Sequence, residues 1–339
     1  LCPTEFSQPK LTLHWGPRKE FIWLKFIFYH YALFSFRPST RDGFCFCHLK
    51  IFILENRHND VIINKMNSNL VNYPNKIGVG IITCDREKFF KACLKSVVSS
   101  KADIIVAVND GRPLDSNIPY IKKINAIQHT SNKGVGVSKN DAMKYLVQAG
   151  CEHIFLIEDD ILVKDPDIYH KYINAAKKSG IWHMMYGYHG PANKYPDKRP
   201  NPRKLIKYDD NVTIALNRHC VGAFCYYHKN LLKHVGYMDE TFVNAWEHVE
   251  HSYRCVKAGL LPGYWWWPDV ACSTELLEEQ ACSEDNSSIR PRDDWQKNIE
   301  QGAKYFASKH TYSPVAVPDL PEDKVVEIVD KINKHYSKT

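Results

Sequence analysis

The feature that most constrains this chain is a repeated unit: a short apolar run ending in a polar cluster, then a helical pattern. Ile77-Gly-Val-Gly-Ile-Ile82, bounded by turn-formers, reads as a buried strand. Glu87 to Val98 spaces Phe89, Phe90, Cys93, Leu94, Val97 and Val98 as one face of a helix. Asp103 to Val108 is a second buried run, closed by Asn109-Asp110-Gly111. A third, near Ile124 to His129, leads through a glycine loop to a helix from Ser138 to Gln148. His153-Ile-Phe-Leu-Ile157 is the fourth and runs straight into Glu158-Asp159-Asp160. Strands alternating with helices predict an α/β fold with a parallel, doubly wound sheet. Ligands of such sheets lie beyond the carboxyl ends of the strands. That rule brings Thr83-Cys-Asp-Arg86, Asp110-Gly111 and Glu158-Asp-Asp160 to one rim.

Composition excludes several classes. Of 339 residues, 44% are hydrophobic and 24% charged, a globular balance long enough for one large α/β domain with additions. The net charge of +7 is spread along the chain, with no Lys/Arg block to serve as a nucleic-acid stripe. It suits phosphate-bearing ligands or an anionic membrane surface. Eleven cysteines without repeating spacing read as reduced thiols in a reducing compartment, and Cys45 and Cys47 stand too close for a metal knuckle. The sequons at Asn211 and Asn286 would matter only in a secreted protein.

Residues 1–66 read as a poorly structured, non-native leader ahead of Met66. The apolar stretch from Glu20 to Phe36 is broken by Lys25 and His30, and fits neither a membrane helix nor a signal peptide. The alternative is a membrane-associating arm, which would give a cytoplasmic protein peripheral contact with the inner membrane face. Residues 67–290 are expected to form the main domain, with a nucleotide-binding half at 77–165, an acceptor half at 180–290 and a helical extension at 291–339. Pro191 to Arg203 is long enough for a lid. Trp246 to Ala258 reads as a helix stopped by Gly259, and Glu322 to Tyr336 as a helix packing Val325, Ile328, Val329 and Ile332 on the body.

Glu158-Asp159-Asp160 is the sharpest chemical signal. Adjacent carboxylates beside Ile157 and Ile161 repel one another unless a cation sits among them, and hard ions such as Mn2+ or Mg2+ take oxygen ligands. A solvated acidic turn is the plain alternative.

These runs carry a resemblance. Ile154 to Val163, followed by Asp165-Pro-Asp167, resembles the metal-binding strand of inverting GT-A glycosyltransferases, in the E-D-D form of N-acetylglucosaminyltransferase I enzymes. Ile81-Ile-Thr-Cys-Asp-Arg86 is similar to the T-Y/C-N/D-R opening of family 2 glycosyltransferases, and Val108-Asn-Asp-Gly111 to their V-D-D-G strand end. Asn132 to Asn140 resembles their N-x-G-x-x-x-A/S-R/K-N segment, and Gly222 through Glu240 their acceptor-side stretch. The resemblance spans Ile77 to Gly259 and implies a Rossmann-like, mostly parallel sheet with a smaller acceptor-side subregion. It implies that Thr83, Asp85, Arg86, Asp110, Lys139 and Asp159 bind a nucleotide-sugar donor, with Asp110 on a uracil base. It also implies that Asp160, with Glu158, coordinates the metal.

Trp246-Glu-His-Val-Glu-His-Ser-Tyr-Arg254 is similar to the family's W/G-E-D-x-D/E-x-S-x-R helix, whose carboxylates supply the base. His248 stands where the pattern has Asp, so the base is Glu247 or, second, His248. The plain alternative is an exposed helix held by Glu–His and Glu–Arg pairs. Trp246 and Trp266, the latter within Tyr264-Trp-Trp-Trp267, are candidates for a platform under a glycan or glycoconjugate acceptor, balanced against core filling. Arg290 or Arg292 offers a further charge for the diphosphate. The activity implied is inverting, metal-dependent sugar transfer from a UDP-sugar in polysaccharide biosynthesis. A non-catalytic sugar-binding module and a sugar-nucleotide pyrophosphorylase are the rivals. Oligomeric state is left open.

Overall fold

The computed structural model describes residues 75–280, 287 and 289–337. The expectations placed on residues 1–66, on Cys45 and Cys47, and on the sequon at Asn286 lie outside them. In chain order the elements are β1 (Ile77–Thr83), α1 (Glu87–Val98), β2 (Ile104–Asn109), β3 (Asn125–Gln128), α2 (Val135–Gln148), β4 (His153–Glu158), β5 (Ile161–Val163) and α3 (Ile168–Ser179). They continue with β6 (His183–Met185), β7 (Lys204–Lys207), β8 (Thr213–Asn217), β9 (Phe224–His228), α4 (Lys229–Val235) and α5 (Glu247–Lys257). The last are β10 (Trp267–Val270), α6 (Ser273–Leu276), β11 (Leu277–Glu279), α7 (Trp295–His310) and α8 (Glu322–Tyr336).

The central sheet has the order β3-β2-β1-β4-β9-β6. The β1–β2, β2–β3 and β1–β4 pairs are parallel, and only β9 runs against its neighbours. This is the mixed α/β architecture with a mostly parallel sheet flanked by helices that the alternation predicts. β1 is buried at all seven positions because it lies at the sheet's centre, covered on both faces. From β1 the chain steps outward to β2 and β3, then returns to place β4 on the other side. The order therefore reverses between β1 and β4, and that reversal opens a crevice at their carboxyl ends. The pairing Ile82↔Glu158 sets Thr83 beside the acidic run.

A three-stranded antiparallel sheet, β10-β8-β7, and a two-stranded one, β11-β5, complete the strands. β7 and β8 pair within a dozen residues, but the β10–β8 and β11–β5 pairings join segments fifty or more residues apart, so no local pattern announces those two. α1 and α8 begin and end at the expected residues. α2 starts at Val135, three residues before the expected Ser138. The Gly134 carbonyl already accepts the Ser138 N–H at 3.1 Å, so helical bonding begins inside the glycine loop. Val325, Val329 and Ile332 of α8 and Phe306 of α7 join the same hydrophobic core as the sheet.

Because α8 is part of that core, Ile332→Ala is expected to destabilise the protein by about 2–5 kcal/mol. Urea unfolding followed by circular dichroism reads this directly, and an unchanged midpoint would detach α8 from the core.

Candidate active site

At the β1–β4 reversal the acidic run meets two cations. Arg86, at the start of α1, donates to Asp159 in a very close ion pair and to Asp160 Oδ2 at 3.2 Å. Thr83 Oγ1 donates to Asp159 Oδ2 at 2.6 Å. On the other side Lys139 of α2, only 1% exposed, places Nζ 2.7 Å from Glu158 Oε1 and 3.6 Å from Glu247 Oε1. The Gly222 carbonyl accepts from the same ammonium at 3.1 Å. Burial opposes both cations, yet the neighbouring carboxylates hold each well above its ordinary pKa.

The account does not balance within the protein. Glu158, Asp159, Asp160 and Glu247 are four carboxylates facing two cations, a surplus of two negative charges when all are ionised. Burial pushes the Asp159 carboxyl up to about 7, with Asp160 adding to it, against the pull of Arg86 and the Thr83 hydroxyl. Asp160 is 7% exposed, and its Oδ1 has no hydrogen-bond partner. An unpartnered buried carboxylate oxygen in an acid-rich crevice fits a hard divalent cation. Glu158 and Asp160 are the residues that would hold it. His189 also feels this charge: burial lowers its pKa, but Glu279, Asp160 and Glu158 raise it overall.

Two glycines make the approach of the helices possible. At Gly222 a Cβ would stand 2.9 Å from both Lys139 Nζ and the His248 ring. At Gly136, in the first turn of α2, it would stand 3.3 Å from Glu247 Cβ. The glycine loop is thus a contact surface for α5 as well as a helix entry.

α5 presents Glu247 and His248 at its first turn. His248 Nδ1 lies 2.9 Å from Glu247 Oε1. Burial would raise the Glu247 pKa, but His248 and Lys139 bring it down to about 2. Glu247 is therefore an ionised acceptor, and His248 Nδ1 is the donor of that bond. That leaves Nε2 as the ring nitrogen not bonded to Glu247, on a side chain 24% exposed. Glu250, one turn on, points elsewhere: Arg254, Lys309 and His310 surround it at 3.0, 2.7 and 3.1 Å.

The cleft beside this network is partly open to solvent, with a cavity volume of about 110 Å³. Of the expected residues it is lined by Thr83, Arg86, Asp110, Glu158 and Asp160. Arg292 also lines it, donating to Asn132 Oδ1 at 3.3 Å. Asn132, Ser138, Asn244 and Ser287 complete a polar wall, of which Asn244 falls in no motif read from the sequence.

The other expected residues have different duties. Lys139 is enclosed by Glu158 and Glu247 and is not among the residues lining the cleft. Asp159 is fully buried beneath the rim. Asp85 accepts from the Arg112 backbone N–H at 2.8 Å rather than lining the cleft. Asp110, besides lining the cleft, clamps the glycine loop after β3, accepting from Lys133 N at 2.7 Å, Gly134 N at 2.8 Å and His129 Nδ1 at 2.6 Å. The acceptor platform expected at Trp266 is corrected: the residue is 2% exposed, its N–H is given to Asp319, and Arg203 covers its ring at 3.6 Å. Trp246 donates its indole N–H to the Ile299 carbonyl at 2.9 Å.

Among comparisons with known proteins, no family model matches the chain. An uncharacterized glycosyltransferase of Acanthamoeba polyphaga mimivirus is 24% identical over 227 residues, covering 63% of this chain and 85% of the relative. Among solved structures, TarS of S. aureus matches 76% of this chain with a TM-score of 0.46 at 14% identity, and this chain spans 42% of TarS. The mannosyltransferase PcManGT from Pyrobaculum calidifontis, solved with GDP-Man and Mn2+, gives 0.42 at 13% identity, over 78% of this chain and 70% of that one. A Drosophila galactosyltransferase variant, solved with manganese, UDP-Gal and xylobiose, gives 0.40 at 12% identity, over 66% and 79%. Among the described residues no helix is long and apolar enough to cross a membrane.

The Asp110 clamp is titratable. Burial would lower the His129 pKa, but Asp110 and Asp141 carry it up from 6.5 to about 9. A group raised on folding stabilises fully below its unfolded pKa and loses that contribution as pH rises through the folded one. Thermal stability should therefore fall between pH 6.5 and about 9 by more in the wild type than in His129→Gln, by on the order of 3 kcal/mol. Parallel pH profiles in the two proteins would sink this assignment.

Proposed function

We propose that this protein is a GT-A type glycosyltransferase that moves a sugar from a nucleotide diphosphate donor, a UDP-sugar, to a hydroxyl of a glycan or glycoconjugate with inversion. The observation that carries the reading is the orphaned, buried Asp160 Oδ1 within an acid-rich crevice at the β1–β4 reversal, one ion pair away from the Glu247–His248 dyad. The likeness to the mimiviral glycosyltransferase supports it. So does the order of the motifs along Ile77 to Gly259.

In this reading His248 takes the proton of the acceptor hydroxyl on Nε2, while Glu247 holds the ring by Nδ1 and stabilises the imidazolium that forms. The acceptor oxygen bonds to the anomeric carbon as the bond from that carbon to the diphosphate oxygen breaks. The electron pair leaves with the nucleoside diphosphate. Glu158 and Asp160 would hold a divalent cation, which would supply Lewis-acid stabilisation of that leaving charge. Arg86 adds a fixed positive charge on the same side, and Lys139 keeps Glu158 and Glu247 ionised and in place. Glu247 is enclosed by Lys139 and His248 while the His248 ring is the more exposed of the pair, which is why His248 takes first place as base.

Two measurements test this. In calorimetry, UDP is expected to bind with Mn2+ present and at least tenfold more weakly without it, and Asp160→Asn should abolish the metal dependence. If folded protein fails to bind UDP, GDP, CDP and dTDP under either condition, the donor-site reading falls. In transfer assays His248→Gln should lower kcat by roughly 10²–10⁴-fold with donor affinity retained. Full activity in that variant would return the role to Glu247.

A further inference from the structure

The turn that delivers Glu247 and His248 is strained. Asn244 and Trp246 both have positive φ, 56° and 69°. A bulky side chain keeps that conformation only where its surroundings hold it there. Here α7 is the holder. Its Ile299 carbonyl accepts the Trp246 indole N–H at 2.9 Å. Gly302, one turn further, lies directly against the indole: a Cβ there would stand 2.8 Å from Trp246 Cδ1 and 3.5 Å from the Ala245 carbonyl oxygen. Tyr305 then packs on Phe242 and donates to Asp239 at 3.0 Å. Lys309 and His310 finish the contact on Glu250. Successive turns of one helix thus grip the chain on both sides of the dyad. On the opposite side Asn244 Oδ1 accepts from Val135 N at 3.1 Å, at the cleft wall.

We propose that Trp246 is a positioning residue: α7, through the Ile299 carbonyl and the notch at Gly302, fixes the Asn244–Trp246 turn so that His248 stays bonded to Glu247 beside the cleft. The residues just before α7 extend the consequence. Ser287, Ile289 and Arg292 line the same cleft, so this helix joins the cleft wall at its start to the dyad along its length. The kinetic part of this assignment rests on the glycosyltransferase reading, and the geometric part does not.

Two variants test it. Trp246→Phe keeps a ring and deletes the N–H. Gly302→Ala puts a methyl where the indole lies, at a helix-interior position where alanine otherwise favours the fold. The first readout needs no substrate: the imidazole Nδ1–H resonance of His248 in histidine-labelled protein, assigned with His248→Gln. It is expected downfield and exchange-protected in the wild type, and shifted or lost in both variants while a cooperative thermal transition is retained. The second is steady-state transfer across a panel of UDP-, GDP-, CDP- and dTDP-hexoses, where kcat should fall at least tenfold with donor KM within twofold. Wild-type resonance and wild-type kcat in both variants would overturn the proposal. So would kcat and UDP affinity falling together in step with lost stability. If the wild type turns over none of these donors, the glycosyltransferase reading fails, and the His248 resonance alone decides the positioning role.

Discussion

The site depends on one electrostatic constraint: four carboxylates gathered at the carboxyl ends of two strands, with two cations of the protein to hold them. Removing a charge from water costs several kcal/mol, and mutual attraction repays that only where geometry is tight. Arg86 meets the requirement by bridging Asp159 and Asp160, and Lys139 by bridging Glu158 and Glu247. Each cation comes from a helix that follows a strand of the parallel sheet. The network therefore ties α1, α2, β4 and α5 together at the same rim where the topology opens a crevice. What the two cations leave unneutralised is the part of the site with capacity for a ligand.

The same network divides labour along α5. Glu247 and Glu250 are one turn apart and both buried, yet they belong to different systems. Glu247 turns to Lys139 and His248 at the cleft, while Glu250 is saturated by Arg254, Lys309 and His310. Helical spacing puts the two carboxylates on neighbouring positions, and their partners separate the one at the cleft from the one held against α7. A carboxylate held near 2 by neighbouring positive charge orients an imidazole well and accepts a proton poorly.

The strands and helices of the first half were legible because their signals are local: apolar runs of the right length, helical spacing, and polar residues where strands end. α1, α8 and the rim clusters could be read from windows of a dozen residues. Pairing was not legible, because β9 joins β4 across about seventy residues and reverses direction in doing so. The side-chain duties of Asp110 and Lys139 were hidden for the same reason. Each looks available in sequence, and each is enclosed by partners that arrive from distant segments, His129 and the Gly134 loop for one, Glu247 for the other. Trp266 shows the ambiguity of aromatic runs, since a ring that can stack on a sugar can equally be buried under an arginine.

Gly134, Gly136, Gly222 and Gly302 show how such enclosure is encoded without a chemical signature. Gly134 supplies the positive φ that turns the loop into α2, and the other three remove a side chain where two elements must nearly touch. The beneficiaries are Glu247 at Gly136, His248 and Lys139 at Gly222, and Trp246 at Gly302. All of these lie on or against one short stretch of α5 and the turn before it. Glycines from three separate segments therefore converge on the same few residues. A surface helix with incidental ion pairs would have no need of such clearance, whereas a dyad that must hold one geometry beside a charged cleft does.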